Sequence, residues 1–512
     1  MRQLMHSFDG TSALPEILDA VRRGEITAFC LFAYRNIETP AQVRALNESL
    51  IRAAAEGGQP PPIISIDQEG GQLMAITGGA TELPGNMALG ATASPALARD
   101  AGNVLARELL AMGINLNFAP CMDINIDPRN PVIGSRAFGD NPMCVAQLGA
   151  ALIDGIQSEG VIAAAKHFPG HGDTHTDSHY AVPIVTHPLE RLERVELQPF
   201  RAAIKANVGA IMSAHVIYTA LDCTRPATLS NVILTGLLRN ALGFDGLILT
   251  DAMDMHAVAH QGAGRAVEAA LRAGADLVVL AHLPDQMALH QQMQHLERPD
   301  ALARIAAARA HIPSELPPLS VIGCAEHRQV ARAIAEESIT LVNDAGDLPL
   351  RPDDDDVIAV ITPTPTDLTP ADTSSSVNIQ LADAIRRRHP RVKAFELPHQ
   401  ASDAHIRSVL AAVADADRVV VGTICAERDP AQAALVNALI ARGQQPIVVS
   451  MRTPYDIAAF PTVGTYLCTY SIRAASMEAA VRVLFGEITA RGALPCALPA
   501  ESFAHVDGVR VS

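Results

Sequence analysis

The chain has 512 residues, 49% hydrophobic and 18% charged, enough apolar material for more than one core and too much for a disordered polymer. Fifty-five acidic against 39 basic residues leave a net charge of −16, which argues against nucleic acid or an anionic membrane surface as a partner. With no Trp, 12 Phe and 6 Tyr, the composition also argues against a stacking platform for long polysaccharides.

In chain order, the first part alternates short β-branched runs with longer helical patterns. Strands are predicted at Ile26–Phe32, Pro62–Asp67, Ile114–Phe118, Val161–Ala165, Ala210–Ala214, Gly246–Thr250 and Asp276–Ala281. Between them, Pro40–Glu56, Ala96–Met112, Cys144–Ser158 and Pro188–Ala206 carry apolar residues at helical spacing. Thr39, Ser94 and Asn141 stand as N-caps before a proline. Repeated strand–helix units imply a parallel sheet, and seven strands in this length favour a (β/α)8 barrel of the TIM type. The eighth strand is not evident, so an incomplete or distorted barrel is allowed, and an open doubly wound sheet is the alternative. The proline-bearing stretch Ile312–Ser320 reads as an interdomain connection, dividing a catalytic domain at 1–315 from a second α/β domain at 322–512. In the latter, six strands are predicted (Ser338–Asn343, Val357–Thr362, Val392–Glu396, Arg418–Ile424, Pro446–Met451, Thr465–Tyr470), separated by four helical segments. The first twenty residues lack the apolar core of a secretory signal, and no apolar run reaches the roughly 18 residues that cross a bilayer. Eight cysteines without CxxC spacing read as reduced thiols, so the expectation is a cytoplasmic protein with no membrane partner.

Reactive groups in a β/α barrel stand at the carboxyl ends of the strands. The residues that follow the predicted strands are Asp67-Gln-Glu-Gly-Gly-Gln72, then APCMD running on to Asn130–Gly139, then Lys166 through His179, then His215, then Asp251-Ala-Met-Asp254. Titratable residues thus follow five consecutive strands at one face. The segment KHFPGHGDTHTDSH is the most informative: four histidines, two aspartates and a lysine in fourteen residues, with almost nothing for a core to use. His171, Asp173, His175, Asp177 and His179 are all metal-ligand types, although their spacing fits neither HExxH nor a Cys/His cluster.

These residues resemble glycoside hydrolase family 3 in its β-N-acetylhexosaminidase branch. The resemblance rests on IDQEGG (66–71), NPVIGSRAFG (130–139), the His-rich loop (166–179), MSAHV (212–216) and PATLS…LTGLLR…LGFDGLILTDAMDM (226–255). More loosely, AEESITLVND, DLPL and LFGE…GALPCALP resemble the family's C-terminal α/β sandwich. The resemblance implies a retaining, exo-acting β-N-acetylglucosaminidase without cofactor or metal, whose partner is a small carbohydrate, an N-acetylglucosaminide or short oligosaccharide. It implies that Asp251 is the nucleophile and that His179, oriented by Asp177, is the acid/base. Asp67, Arg136, Lys166 and His167 are implied to bind the sugar. Glu69 and Asp123 are read as loop-ordering groups, His215 as a pocket support or a packed histidine, and Asp254 as a poorer nucleophile. The family motif continues IDQEGGR-V-x-R, whereas this chain has Gln72 and Ala75, which leaves the glycone preference open. The alternatives are a phosphorylase of β-N-acetylglucosaminides or β-glucosides using the same site, a broad β-glycosidase, a metal-dependent hydrolase, and a non-catalytic sugar-binding protein. No second-domain residue is expected to supply catalytic chemistry.

Overall fold

The computed structural model describes residues 1–260, 262–313 and 315–499. Eight parallel strands form the first sheet: β1 (Leu4–His6), β2 (Ala28–Cys30), β3 (Ile63–Ile66), β4 (Leu116–Asn117), β5 (Ile162–Phe168), β6 (Ala210–Ser213), β7 (Leu247–Thr250) and β8 (Val278–Val279). Neighbours follow chain order from β1 to β7, and β8 pairs with β1 through Leu4↔Val278 and Met5↔Val279. A bridge between Leu249 and Leu277 brings β7 against β8, so the sheet nearly closes on itself. The strand not evident in the sequence is therefore β1. It is three residues long, wholly buried and paired on both sides, which is too short to show any periodicity.

Period-two alternation along the strands sorts side chains between two cores. Met5, Ala28, Ile63, Leu116, Ala164, Leu247, Leu249 and Val279 cluster inside the barrel, while Ile64, Ile66, Ala163, Ala165 and Ile248 face the helices. The three proposed N-caps all accept from the first turn of their helices: Thr39 from Gln42 N, Ser94 from Leu97 N, and Asn141 from Met143 N and Cys144 N. The predicted helix Pro188–Ala206 is two helices, Leu189–Arg194 and Leu197–Lys205. The break falls at Val195, whose carbonyl would meet the ring of Pro199 four residues on in a continuous helix.

The second sheet contains β9 (Thr340–Asn343), β10 (Ile358–Pro363), β11 (Val392–Leu397), β12 (Arg418–Thr423), β13 (Ile447–Ser450) and β14 (Thr465–Cys468), in the order β9-β14-β13-β12-β10-β11. Only β9 runs antiparallel to its neighbour. All eight cysteines are free, and no helix among the described residues is long and apolar enough to cross a membrane.

The amino-terminal end of the barrel carries its own clasp. Asp276, fully buried just before β8, accepts from Arg239 (2.7 Å), Arg298 (3.3 Å), Arg304 (2.9 Å) and the backbone N–H of Ile248 (2.9 Å). Replacing it leaves three guanidinium groups without their common acceptor at the seam between β7 and β8. Asp276→Ala should lower unfolding free energy by about 3–5 kcal/mol in denaturant melts, while turnover per folded molecule persists because the clasp is at the face opposite the mouth.

Candidate active site

The mouth of the barrel is built on a bulge. Strand β5 continues past Ala165 to Phe168, and its register against β6 shifts between Ala165↔Ile211 and Phe168↔Ser213. The extra residue breaks the alternation, so consecutive Lys166 and His167 both line the same cavity. Lys166 Nζ lies 2.6 Å from Asp67 Oδ1 and 2.7 Å from Glu69 Oε1. Arg136, on the loop after β4, donates to both oxygens of Glu69 (3.0 and 2.8 Å) and to the carbonyl of Val132. Glu69 is thus the shared counter-ion of two buried cations. Burial alone would raise its pKa, but Arg136 and Lys166 hold it at about 2. Burial likewise opposes the charge on Lys166, which the two carboxylates nevertheless keep firmly protonated.

A second carboxylate plays the same part for the histidines. Asp123 is completely buried and accepts from His167 Nδ1 (2.7 Å), His171 N (2.6 Å) and Cys121 Sγ (3.2 Å). Burial pushes against its ionisation, yet His167 and His171 hold it well below the carboxylate range. With Nδ1 engaged, His167 presents Nε2 to the cavity, 4.0 Å from Asp251 Oδ2. Asp251 follows β7 directly, and its other oxygen accepts from Ala252 N (2.7 Å). Desolvation would raise its pKa, but His167, His215 and the Ala252 N–H outweigh it and bring the carboxyl to about 2. His215 is fully buried and bonded to Thr228 Oγ1 and to the carbonyl of Ala252, which anchors the Asp251 segment; burial lowers its pKa and Asp251 opposes that fall.

The His-rich loop brings only some of its polar residues to the cavity. Asp177 Oδ1 accepts from both the backbone N–H (2.9 Å) and Nδ1 (2.6 Å) of His179, a local turn that lets residues two apart form a dyad. Burial raises the Asp177 pKa and these bonds lower it, with a net fall. His179 is part-buried, leaves Nε2 for a ligand, and is tied across the mouth by His256 N donating to its carbonyl (3.3 Å). His171 is internal scaffolding, bridging Thr174 Oγ1 (2.9 Å) and Ser178 Oγ (3.0 Å). The metal-ligand types of this loop do not converge. Asp173 pairs with His187 and Arg191, and His175 stands exposed beside Asp127. Among the described residues, the group whose ligand atoms do gather is Cys121, Asp123 and His167. There burial pushes the thiol up, and it donates to a carboxylate already bonded to the imidazole.

Asp67, Arg136, Lys166, His167, His179 and Asp251 all line one cavity of about 810 Å³, and Asp177 stands behind His179. Asp254 also lines it, accepting from His282 N (3.3 Å). Glu69 and Asp123, read from the sequence as loop-ordering groups after strand ends, are the buried carboxylates on which Arg136, Lys166, His167 and the His171 backbone converge. One feature was not readable from the sequence: residues 367–376 of the second domain form part of the wall. Gln72 points to that wall rather than into the cavity. Its amide donates to Ala371 O (3.3 Å) and accepts from Ser135 Oγ (2.6 Å), and its carbonyl accepts from Thr373 N (2.9 Å) and Oγ1 (3.0 Å).

The buried rings impose an acid sensitivity. His171 is pushed down to about 4 and His6 to about 3 by burial, so the unfolded chain takes up protons below the ordinary value of 6.5 that the folded chain refuses. Where the unfolded state binds more protons, stability falls with falling pH. The melting temperature should therefore drop between pH 7 and 4, and His171→Gln should flatten that slope.

Comparison with known proteins places this geometry. Residues 2–313 match the glycosyl hydrolase family 3 N terminal domain, and residues 339–507 match the family's C-terminal domain. A β-hexosaminidase A of Pseudoalteromonas piscicida is 32% identical, covering 95% of this chain and 91% of its own. The solved family 3 β-N-acetylglucosaminidase of Paenibacillus sp. str. FPU-7 superposes with a TM-score of 0.91 at 36% identity over 97% of both chains. NagZ from Neisseria gonorrhoeae, solved with N-trifluoroacetyl-D-glucosamine, matches 65% of this chain and 96% of its own, at 29% identity and a TM-score of 0.57.

Proposed function

This chain belongs to glycosyl hydrolase family 3, and from that premise we propose that it is an exo-acting β-N-acetylglucosaminidase working with retention of configuration. The observation that carries the reading is the convergence of an ionised, half-anchored Asp251 and an Asp177–His179 dyad on one cavity. The names of the relatives support N-acetylglucosamine as the glycone.

In the first step Asp251 Oδ2 attacks the anomeric carbon, the bond to the leaving oxygen breaks, and His179 Nε2 gives that oxygen its proton. In the second step His179 takes a proton from water, the water oxygen bonds to the anomeric carbon, and the ester to Asp251 is released. Asp177 fixes the ring tautomer and stabilises the imidazolium while it lasts. Asp67 accepts from sugar hydroxyls, Lys166 and Arg136 donate to them, and His167 offers Nε2. Lys166 and Arg136 are both already held by carboxylates, which favours water over phosphate as the acceptor.

Two measurements check this reading. Asp251→Ala should lower kcat on aryl β-N-acetylglucosaminides by about 10³-fold or more with the fold intact. A 2-fluoro glycoside should label Asp251, and labelling of Asp254 instead would overturn the assignment. His179→Ala should slow cleavage of a β-linked disaccharide far more than that of a dinitrophenyl glycoside, whose leaving group needs no proton. The best leaving groups should then give a burst, because water must still be deprotonated. A loss of kcat/KM that is uniform across leaving groups would make His179 a binding or structural group.

A further inference from the structure

One buried cation has no part in the chemistry placed so far. Arg473 opens the helix Ala474–Leu484, just beyond β14, and among the described residues it is the largest that is fully buried. Its carbonyl accepts from Ser476 N (2.9 Å) and Met477 N (3.1 Å), which fixes its backbone to the second domain. Its side chain crosses to the barrel, where Nε donates to the carbonyl of Gly71 (2.8 Å). Nη1 and Nη2 are buried without hydrogen-bond partners, and Glu82 Oε2 stands 3.5 Å from Nη1. Burial lowers the Arg473 pKa, and Glu82 opposes that fall.

Other buried arginines at the seam and the mouth are better matched. Arg452 meets Asp372 at 2.6 Å, and Arg136 holds both oxygens of Glu69. The Arg473 guanidinium is withdrawn from water for one hydrogen bond and a more distant, partly exposed carboxylate. That exchange loses more hydration than it returns, so an apolar side chain of similar length would serve stability at least as well. What the one bond holds is then the reason for an arginine.

The bond holds the turn that follows β3. Glu69 faces Arg136 and Lys166, and Lys166 reaches on to Asp67. The two residues after Glu69 are glycines at positive φ, which allow the turn but bring no side chain to restrict it. The restriction comes from outside. Gly71 N donates to Leu83 O (2.8 Å) and Gly71 O accepts from Arg473, so the planar peptide units on both sides of Gly71 are fixed. We propose that Arg473 is a positioning residue for the glycone site: it orients the Gly71 carbonyl and so sets the place of Glu69, on which Arg136, Lys166 and Asp67 depend. The inference rests on the glycosidase reading above. It extends the binding machinery into the second domain without giving that domain a step of the chemistry.

Two substitutions in the full chain separate this bond from mere filling of the seam. Arg473→Met keeps an unbranched chain and has no donor. Arg473→Gln carries its amide nitrogen as many bonds from Cα as Nε, so it keeps the donor and drops the charge. On an aryl β-N-acetylglucosaminide, Arg473→Met should lose roughly ten-fold in kcat/KM, mostly through KM. The inhibition constant of N-acetylglucosamine, which meets only the glycone site, should rise by the same factor. Arg473→Gln should recover most of both losses. Equal losses in the two variants would make Arg473 a packing or charge-balancing residue and overturn the inference, as would unchanged kinetics in Arg473→Met. If Arg473→Met does not fold, Arg473→Gln decides alone: an inhibition constant close to the wild type's supports the inference, and a rise of roughly ten-fold overturns it. Absence of wild-type turnover on this substrate would overturn the functional reading and the inference with it. Wild-type turnover with equal losses in the variants would overturn the inference alone.

Discussion

Everything at the mouth of the barrel depends on one buried carboxylate held between two cations. Glu69, Arg136 and Lys166 are each almost wholly withdrawn from water, and an unpaired charge there would cost several kcal/mol, on the order of 3–5 for a broken pair. The ion network can be buried only if its members meet at hydrogen-bond distance, so the ends of β3, β4 and β5 are fixed relative to one another by electrostatics as well as by sheet bonding. Asp67, the outermost member, has the only side chain of the network with appreciable exposure. The network therefore presents one carboxylate and the edges of two cations to a ligand in fixed places, with little reorganisation left for binding.

The same device is used twice for imidazoles, with different outcomes. Asp123 and Asp177 each engage Nδ1 of a histidine and leave Nε2 facing the cavity. His167 is on a strand bulge, buried, and shares its carboxylate with the backbone of His171. His179 is on a loop, partly exposed, and bound to a carboxylate whose other oxygen has no partner. A ring packed in that first way suits the holding of a hydroxyl. A ring that reaches solvent and has a dedicated counter-ion suits the exchange of protons with a leaving group and then with water. The difference between the two rings comes from placement, since the residue types are identical.

Much of this was legible in the sequence because it is written locally. Alternation located seven barrel strands and six in the second sheet, and the strand ends then pointed to Asp67, Lys166, His167 and Asp251. Local patterns fail where the information is shared between distant segments. Leu4–His6 is a strand only because β2 and β8 flank it. The pairing of Glu69 with Arg136 spans 67 positions, and the cluster of Tyr34 with His282 spans 248. A count of aromatic residues cannot show that the rings of Phe32, Tyr34 and His282 converge at one mouth.

The second domain reaches the site through the turn that also carries Glu69. Gly70 and Gly71 both take positive φ, 91° and 62°, and a Cβ on Gly71 would lie 2.9 Å from the carbonyl of Pro84. The close approach lets the chain turn immediately after Glu69, so that the next two carbonyls point away from the barrel. Gly71 O accepts from Arg473, and Gln72 O accepts from Thr373. An arginine at position 72 would keep those carbonyl bonds but lose the short amide contacts to Ser135 and Ala371. Gln72 is thus a rivet between the domains, bonded to Ser135 on the barrel side and to Ala371 and Thr373 on the other, while Ala75 lines the cavity.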